Sequence, residues 1–199
     1  DAGMHSSQNE QDSRHYAEAA KLPMLEPSDS SEALAFAKAA YEISEKFDTP
    51  VIIKMCTRVA HSQSVVETGE REERPTKPYE KNIQKNVMMP ANAKKRHYDV
   101  EKRMKALEEY AETTPLNRIE WGGKELGIIT SSTSYQYTKE VFGDSVSVLK
   151  LGMVHPLPEK LIKKFASKVK SLAVIEELDP VIENYCKQLG LTVIGKDIL

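Results

Sequence analysis

Apolar residues recur at intervals of three and four along residues 33–47, between polar positions. They are Ala33, Leu34, Ala37, Ala40, Tyr41 and Phe47. This period predicts an amphipathic helix that ends near Asp48, and Asp29 and Glu32 have the spacing of a capping box at its start. The apolar run at residues 51–53 then predicts a buried parallel strand, so that helix and strand make half of a βαβ unit.

A second helical pattern predicts a long helix that begins near Asn92. Its apolar positions are Ala93, His97, Val100, Met104, Leu107 and Ala111. A seam this narrow is typical of a helix that packs along another helix. Basic residues at the amino end and acidic residues toward the carboxyl end run against the helix dipole, so packing must hold this helix in place.

From residue 126 onward, short apolar runs alternate with helical patterns. Strands are predicted at residues 126–131, 146–151, 172–176 and 191–194, and helices at 134–141, 159–169 and 180–189. Gly190 is placed to close the last helix. Four strands alternating with three helices indicate a small parallel α/β domain. Residues 116–125, which contain the single tryptophan, are predicted to form a loop or an edge hairpin before it.

Residues 66–90, between the patterned regions, have no periodicity. They are charged and interrupted by prolines, which predicts an exposed interdomain connection with Tyr79, Ile83 and Val87 as its few anchors. The predicted division of the chain is therefore 1–65, 66–125 and 126–199.

Composition places the chain among ordinary globular proteins, since 40% of its 199 residues are hydrophobic and 29% are charged. The formal net charge of -2 gives no electrostatic case for nucleic acid or an anionic membrane as a partner. No apolar run approaches the roughly 20 residues of a membrane span and no signal-peptide pattern opens the chain, so the expected location is the cytoplasm. Cys56 and Cys186 stand far apart, which predicts two reduced thiols and neither a disulfide nor a metal site.

The stretch from residue 3 to residue 14 consists almost entirely of hydrogen-bonding side chains, with Met4 as its one large apolar residue. Asp12 or Ser13 is placed as the N-cap of a helix over residues 12–21. A loop of this kind either faces water or lines a binding site.

Polar residues also follow the strand predicted at residues 51–53. Thr57, Arg58 and His61 would lie beyond its carboxyl end, where open α/β sheets bind ligands. The Arg58 guanidinium is suited to bidentate binding of a carboxylate, and the alternative is that it pairs with a local carboxylate or caps a helix. For His61 the alternative is a structural hydrogen bond.

Two further places in the α/β region carry polar groups. Residues 131–134, Ser-Ser-Thr-Ser, start a predicted helix whose N–H groups could receive an anion, although a helix capped by Ser or Thr explains them more simply. Neither a Gly-x-Gly-x-x-Gly nor a Gly-Lys-Ser/Thr motif is present, which leaves dinucleotide and P-loop sites without support. Glu176 and Glu177 end a predicted strand, and one of them is expected to cap a helix or to form an ion pair.

Four segments together resemble one known family. They are residues 3–14, Gly-Met-His-Ser-Ser-Gln-Asn-Glu-Gln-Asp-Ser-Arg; 22–33, Leu-Pro-Met-Leu-Glu-Pro-Ser-Asp-Ser-Ser-Glu-Ala; 49–55, Thr-Pro-Val-Ile-Ile-Lys-Met; and 57–62, Thr-Arg-Val-Ala-His-Ser. Their content and order are similar to the large, thiamine-diphosphate-binding (alpha) subunit of the 2-oxoacid:ferredoxin oxidoreductase family, over essentially all 199 residues. The resemblance implies an α/β fold: the C-terminal half of a pyrimidine-binding domain in residues 1–65, a linker with a long helix in 66–125, and a parallel domain like the C-terminal domain of transketolase in 126–199.

The resemblance also implies an activity. The expected reaction is oxidative decarboxylation of an aryl 2-oxoacid such as indolepyruvate on thiamine diphosphate with Mg²⁺. Electrons would pass through [4Fe-4S] clusters to ferredoxin, and the acyl group would pass to coenzyme A. The small (beta) subunit of such an oxidoreductase is the expected protein partner.

Site residues follow from the same resemblance, position by position. The residues implied in cofactor binding are His5, Ser6, Ser7, Gln8, Asn9, Glu10 and Gln11. Thr57, Arg58 and His61 are implied in substrate binding. No catalytic residue and no metal ligand is assigned.

The chain begins with Asp-Ala-Gly-Met and ends directly after an apparent strand, which predicts an internal piece of a longer subunit. In the family, the acid that activates the aminopyrimidine would lie before residue 1, and the metal-diphosphate motif would lie beyond residue 199. No Cys-x-x-Cys occurs, so no iron–sulfur cluster is expected here. The piece alone is therefore expected to be inactive. The alternative is an autonomous α/β binding or assembly module without a catalytic role.

Overall fold

The computed structural model describes residues 2–5, 9–71, 73 and 75–198. In chain order these residues form α1 (Arg14–Ala20), β1 (Met24–Leu25), α2 (Ser30–Phe47), β2 (Ile52–Ile53), α3 (Thr57–His61), α4 (Ile83–Asn86), α5 (Pro90–Ala111), β3 (Arg118–Glu120), β4 (Leu126–Ser131), α6 (Ser134–Phe142), β5 (Ser147–Leu151), β6 (Met153–His155), α7 (Glu159–Ala166), β7 (Ser171–Ile175) and α8 (Val181–Gln188). Single 3-10 turns lie at Gly3–His5 and Lys196–Ile198. None of the described helices is long and apolar enough to cross a membrane.

The first half of the chain forms the helix and strand that its periodicity predicts. Asp29 caps α2, since its carboxylate accepts a hydrogen bond of 2.8 Å from the Glu32 N–H. Asp48 ends the helix in the left-handed conformation, at φ 52°. β2 then pairs in parallel with β1, and its residues are half-buried.

A three-stranded sheet of order β2–β1–β6 includes a strand that the sequence does not predict. β6 pairs antiparallel with β1, so that residues 153–155 bind a strand about 130 positions earlier in the chain. Gly152 precedes β6 because a Cβ there would lie 2.4 Å from the Leu116 carbonyl oxygen. The short apolar run of β6 carries no period of its own, which is why the sequence predicts no strand at this place.

The second sheet has the order β3–β5–β4–β7. β5, β4 and β7 are parallel, as predicted, and β3 adds an antiparallel edge strand. The strand predicted at residues 191–194 is wrong, since only a single bridge joins Ile194 to Ala173. The chain leaves the sheet there because the Lys196 N–H donates to the Glu183 carboxylate of α8, at 2.9 Å.

α5 packs on α2 through its carboxyl half only. Leu107 and Ala111 are fully buried there, and Tyr110 packs edge-on against Phe47 with ring centroids 5.3 Å apart. Ala93 and His97 are exposed, so the predicted seam is wrong in its amino half, where the helix extends past the body on which it packs.

The connection before α5 is exposed, as predicted, but its predicted anchors are wrong. Tyr79, Ile83 and Val87 are 85%, 55% and 43% exposed. The polar segment instead forms the short helix α4, in which the Asn82 side chain accepts from the Lys85 N–H. The division of the chain at residues 66–125 stays a prediction.

Candidate functional site

Polar side chains meet where β1, β2, β4 and β7 reach their carboxyl ends. We name this group, together with two residues that enter α1, the strand-end cluster: Asp12, Arg14, Glu26, Lys54, Cys56, Ser131, Ser132, Thr133, Glu176 and Glu177. Most of these side chains are buried. Because open α/β sheets bind ligands beyond the carboxyl ends of their strands, the cluster marks the candidate site.

Arg14 lies at the centre of the cluster and is 3% exposed. Its Nη2 donates to Asp12 Oδ2 at 2.6 Å, and its Nη1 donates to Glu176 Oε2 at 2.5 Å. Nη2 also donates to the backbone carbonyls of Glu177 (2.7 Å) and Asp179 (2.8 Å). The guanidinium therefore joins the start of α1 to the turn between β7 and α8.

The charges in this group support one another. Burial alone would lower the pKa of Arg14, but the hydrogen bond to Asp12 and the charges of Glu26 and Glu176 outweigh it and raise that pKa, so the guanidinium stays charged. Burial opposes ionisation of Asp12 as well, but Arg14 lowers the net pKa of that carboxyl group.

Glu176 also caps α8, because its carboxylate accepts from the Ile182 and Glu183 N–H groups at 3.0 and 2.9 Å. Burial raises the pKa of Glu176, and Arg14 with the two amide donors opposes that rise. The prediction that one of the two adjacent carboxylates caps a helix or forms an ion pair is confirmed. Glu176 does both, while Glu177 Oε1 accepts from Thr133 Oγ1 at 3.3 Å.

Glu26 joins the two sheets at their carboxyl ends. It is 1% exposed, accepts from Ser131 Oγ at 2.7 Å, and forms an ion pair of 2.9 Å with Lys54 Nζ. Each of the three residues follows or ends a different strand, so this contact fixes the relative positions of β1, β2 and β4.

A second buried network lies next to Glu26. Lys150 Nζ, on a fully buried side chain, is 2.5 Å from Glu32 Oε2, and Arg118 Nη1 is 2.7 Å from Glu32 Oε1. Burial by itself would raise the pKa of Glu32, but Lys150 and Arg118 outweigh it and bring that pKa down to about 2. This network braces α2 against the second sheet.

The hydroxyl groups after β4 are used in tertiary contacts. Ser132 has a left-handed φ of 51° and its Oγ lies 3.8 Å from the Cys56 sulfur, which is also 3.7 Å from Thr133 Oγ1. Thr133 is the N-cap of α6 but makes no side-chain capping bond. The simpler explanation of these residues, a helix capped by a Ser or Thr side chain, is therefore wrong, and anion binding at this place stays a prediction. Both cysteines are free thiols, as predicted.

The predicted cofactor-binding loop lies outside this buried group. His5, Asn9, Glu10 and Gln11 are exposed, whereas Ser6, Ser7 and Gln8 lie outside the described residues. Glu10 accepts from the Gly3 N–H at 2.7 Å. Gln11 accepts from the Tyr16 hydroxyl at 3.3 Å. The described residues of the loop are thus exposed next to a buried anchor at Asp12 and Arg14, and the role of the loop in cofactor binding stays a prediction.

Thr57, Arg58 and His61 lie together on α3, which starts directly after Cys56 of the cluster. Arg58 and His61 are exposed. The Arg58 guanidinium carbon is 5.5 Å from the ring centre of Tyr137 on α6. Arg58 forms no ion pair with another described residue, so pairing with a nearby carboxylate such as Glu10 or Asp12 is wrong. Substrate binding by these three residues stays a prediction.

One group of possible metal ligands touches the cluster. Asp12, His15 and Asp179 bring ligand atoms within 4.8 Å of one another. Both Asp12 oxygens, however, already accept from Arg14. The group is therefore explained by the ion pair, and among the described residues it gives no case for a metal centre.

The sequence missed the ion pairs that hold the buried cluster together. Asp12 is predicted only as a helix cap, and the pairing of Arg14, Glu26 and Lys54 is not predicted at all. The available signal was local: each of these charged residues stands beside a buried strand or helix, where a charge needs a partner.

No protein-family model matches the chain. The indolepyruvate oxidoreductase subunit IorA of Archaeoglobus fulgidus is 41% identical to it over 98% of this chain and 32% of that protein. The subunit of the same name from Thermococcus kodakarensis is 38% identical over 100% of this chain and 33% of that protein. The chain thus spans about a third of the length of the curated relatives it matches.

Among solved structures, a 2-oxoglutarate:ferredoxin oxidoreductase from Magnetococcus marinus, with 2-oxoglutarate, coenzyme A and succinyl-CoA bound, matches 87% of this chain and 38% of that chain. The TM-score is 0.54 and the identity 12%, so this likeness concerns the fold alone. Sequence identity along nearly the whole chain carries the comparison further: the chain corresponds, from end to end, to about a third of an indolepyruvate oxidoreductase subunit IorA.

Proposed function

We propose that this chain contributes cofactor- and substrate-facing elements to an oxidoreductase that decarboxylates aryl 2-oxoacids such as indolepyruvate. The products would be an acyl-CoA and reduced ferredoxin, and a small beta subunit would complete the enzyme. The observation that carries the proposal is the identity of 36–42% to the IorA subunits over 92–100% of this chain.

The chemistry of the exposed loop fits thiamine diphosphate, which supplies a carbanion that attacks a 2-oxo group. His5, Asn9, Glu10 and Gln11 are exposed, and between them they carry both donors and acceptors, which a hydrogen-bonding ring system requires. Asp12 and Arg14 would position this loop without touching the cofactor. The described residues do not fit an iron–sulfur cluster, since both cysteines are buried and isolated.

The role proposed for α3 is to hold the substrate. Arg58 is exposed and unpaired by any described carboxylate, so its guanidinium is open to a substrate carboxylate. Thr57 and His61, on the same short helix, would complete that contact.

A chimaera tests the proposal. The matching third of the Archaeoglobus fulgidus subunit is replaced with this chain, and indolepyruvate-dependent reduction of methyl viologen is measured with and without coenzyme A. Activity within about tenfold of the parent is expected, because the matched segments are 41% identical. A control chimaera in which residues 3–11 are replaced with a Gly/Ser loop of equal length should keep its melting temperature and lose activity.

An inactive chimaera that assembles like the parent would favour the alternative, an assembly module without a catalytic role. The purified 199-residue chain should by itself reduce no viologen with any 2-oxoacid. Turnover by that chain would contradict the expectation that it is inactive alone.

A further inference from the structure

A cavity of about 750 Å³ lies away from the residues predicted to bind cofactor or substrate. α1, α5, α8 and the segment from β6 to α7 form its walls, and Arg14 of the strand-end cluster is among its lining residues. This volume is within the range of small-molecule sites.

Carboxylates dominate the charges on its walls. Five glutamates line the cavity: Glu18, Glu108, Glu109, Glu112 and Glu159. Two lysines, Lys105 and Lys160, partly offset this negative charge. Arg14 also lines the cavity, but its charge is already matched by Asp12 and Glu176. The cavity therefore attracts cations.

Some of these carboxylates are already engaged and others are not. Glu112 accepts from the backbone N–H groups of Lys160 and Leu161, both at 2.8 Å. Glu159 pairs with Lys163 at 2.6 Å. Glu108 and Glu109 form no ion pair or hydrogen bond with another described residue, so their charges remain available to a ligand.

Two neutral groups line the cavity, and burial is the largest cause of the pKa shift of each. Burial raises the pKa of the Tyr185 phenol to about 12, and the charges of Glu159, Glu112 and Glu108 add to the rise. Burial lowers the pKa of His155, whose Nδ1 donates to the Leu22 carbonyl at 2.8 Å. Its Nε2 is therefore an acceptor, suited to an N–H donor.

Apolar surface completes the lining. Met104 of α5 and Leu157, before α7, are half-buried at the wall, and Val154 of β6 is 2% exposed at its base. A ligand that fits both kinds of surface has several positive groups separated by methylene chains. An inorganic cation would meet the carboxylates but leave the apolar wall in contact with water.

We propose that this cavity binds an aliphatic polyamine, with ammonium groups on Glu108 and Glu109 and the methylene chain against Met104, Val154 and Leu157. Spermidine is the probe of choice, and its binding to the 199-residue chain is measured by titration calorimetry at low salt. Mg²⁺, a cation without an apolar part, is the comparison ligand in the same titration.

One saturable spermidine site per chain is expected. Glu108→Gln should weaken binding about tenfold or more, since a charge-assisted contact is lost. Glu140→Gln is the control. Glu140 is an exposed residue of α6 outside the cavity, so this substitution removes the same charge without touching the site. Both variants should keep the unfolding midpoint of the parent.

Three results would overturn the proposal. They are the absence of saturable spermidine binding, equal weakening by the two variants, and displacement of spermidine by Mg²⁺ at equal concentration. The last result would mean that charge alone, without the apolar wall, accounts for the binding.

Discussion

Arg14 is the side chain on which the contacts of the strand-end cluster converge. It binds the buried carboxylate of neighbouring Asp12 and, more than 160 residues away in the sequence, the buried carboxylate of Glu176 and two carbonyls. Buried Glu26 and partly buried Glu32 have the same character, since each carboxylate is held by a cation from another element. Buried charges of this kind are costly to leave unpaired, which makes them the residues at which single substitutions should matter most.

Arg14→Met should destabilise the chain by about 3–5 kcal/mol, because Asp12 and Glu176 would remain buried without their partner. Urea unfolding followed by circular dichroism measures the change. Arg58→Met is the matched control, and its exposed guanidinium should contribute less than about 1 kcal/mol. Similar losses in the two variants would contradict the central role of Arg14.

Arg58→Met should act on substrate binding instead. In the active chimaera, loss of a charge-assisted contact to the substrate carboxylate should raise KM for indolepyruvate about ten- to a hundredfold. The melting temperature should stay the same, since the structure shows no ion pair of Arg58 with a described residue. An unchanged KM with a lower melting temperature would make Arg58 structural.

The lowered pKa of Glu32 predicts that the stability of the fold depends on pH. Its pKa in the folded chain is about 2, below the ordinary value of 4.5, so it stabilises the fold above pH 4.5. This contribution is lost as the pH falls from 4.5 toward 2. Glu32→Gln should therefore be less stable than the parent at pH 7, and the two unfolding free energies should converge near pH 2. A difference that does not change with pH would exclude this role.

At the scale of the elements, α1 and α2 show two ways to begin a helix. Asp29 caps α2 through its side chain, whereas Ser13, the N-cap of α1, makes no side-chain capping bond. At α1, the Asp12 carboxylate accepts from the Arg14 N–H instead, at 3.0 Å. The start of α1 is thus fixed by the same pair of residues, Asp12 and Arg14, that anchors the strand-end cluster.

Asp29→Ala should cost about 1 kcal/mol, with a range of roughly 0.5–2 kcal/mol, because it removes the cap of α2. The Asp29 contact with Gln136 on α6 would be lost as well. Ser13→Ala offers an internal control and should be close to neutral. Chemical denaturation of both variants gives the comparison, and a loss at Ser13 equal to that at Asp29 would refute the assignment of caps.

For the molecule as a whole, contacts distant in sequence join the early and late parts of the chain. β6 pairs with β1, Ser131 bonds to Glu26, and Arg14 bonds to Glu176. The exposed connection at residues 66–81 lies outside these contacts. The two parts are therefore linked by packing and ion pairs as well as by the chain.

Limited trypsin digestion should cut first in this connection, after exposed residues such as Arg71, Lys77 or Lys81. Residues 126–198 should remain resistant, because ten of the twelve buried residues of the main core cluster belong to their own strands and helices. Mass spectrometry identifies the cut, and circular dichroism of the nicked protein shows whether structure persists. Cooperative unfolding of both parts after one cut would contradict this independence.

The sequence by itself determined the elements whose signals are local. The three-and-four spacing and the cap at Asp29 predict α2, and the apolar runs at 126–131 and 172–176 predict β4 and β7, because period and capping depend only on neighbouring residues. The resemblance of four segments, in their order, to a known family also predicted the similarity that the relatives show. The exposure of Arg58 and of the described residues of the polar loop agrees with a binding role and leaves it to be tested.

Only the tertiary structure decided which distant groups meet. Arg14 and Glu176 are 162 residues apart in the sequence, and Glu26 and Ser131 are 105 apart, so no local pattern announces their contacts. The same holds for β6, which is a strand only because Met24 and Leu25 pair with it, and for α5, whose seam ends where α2 ends. The physical reason is that burial and pairing depend on what packs opposite a residue, and a periodic pattern shows which face is apolar without showing what covers it.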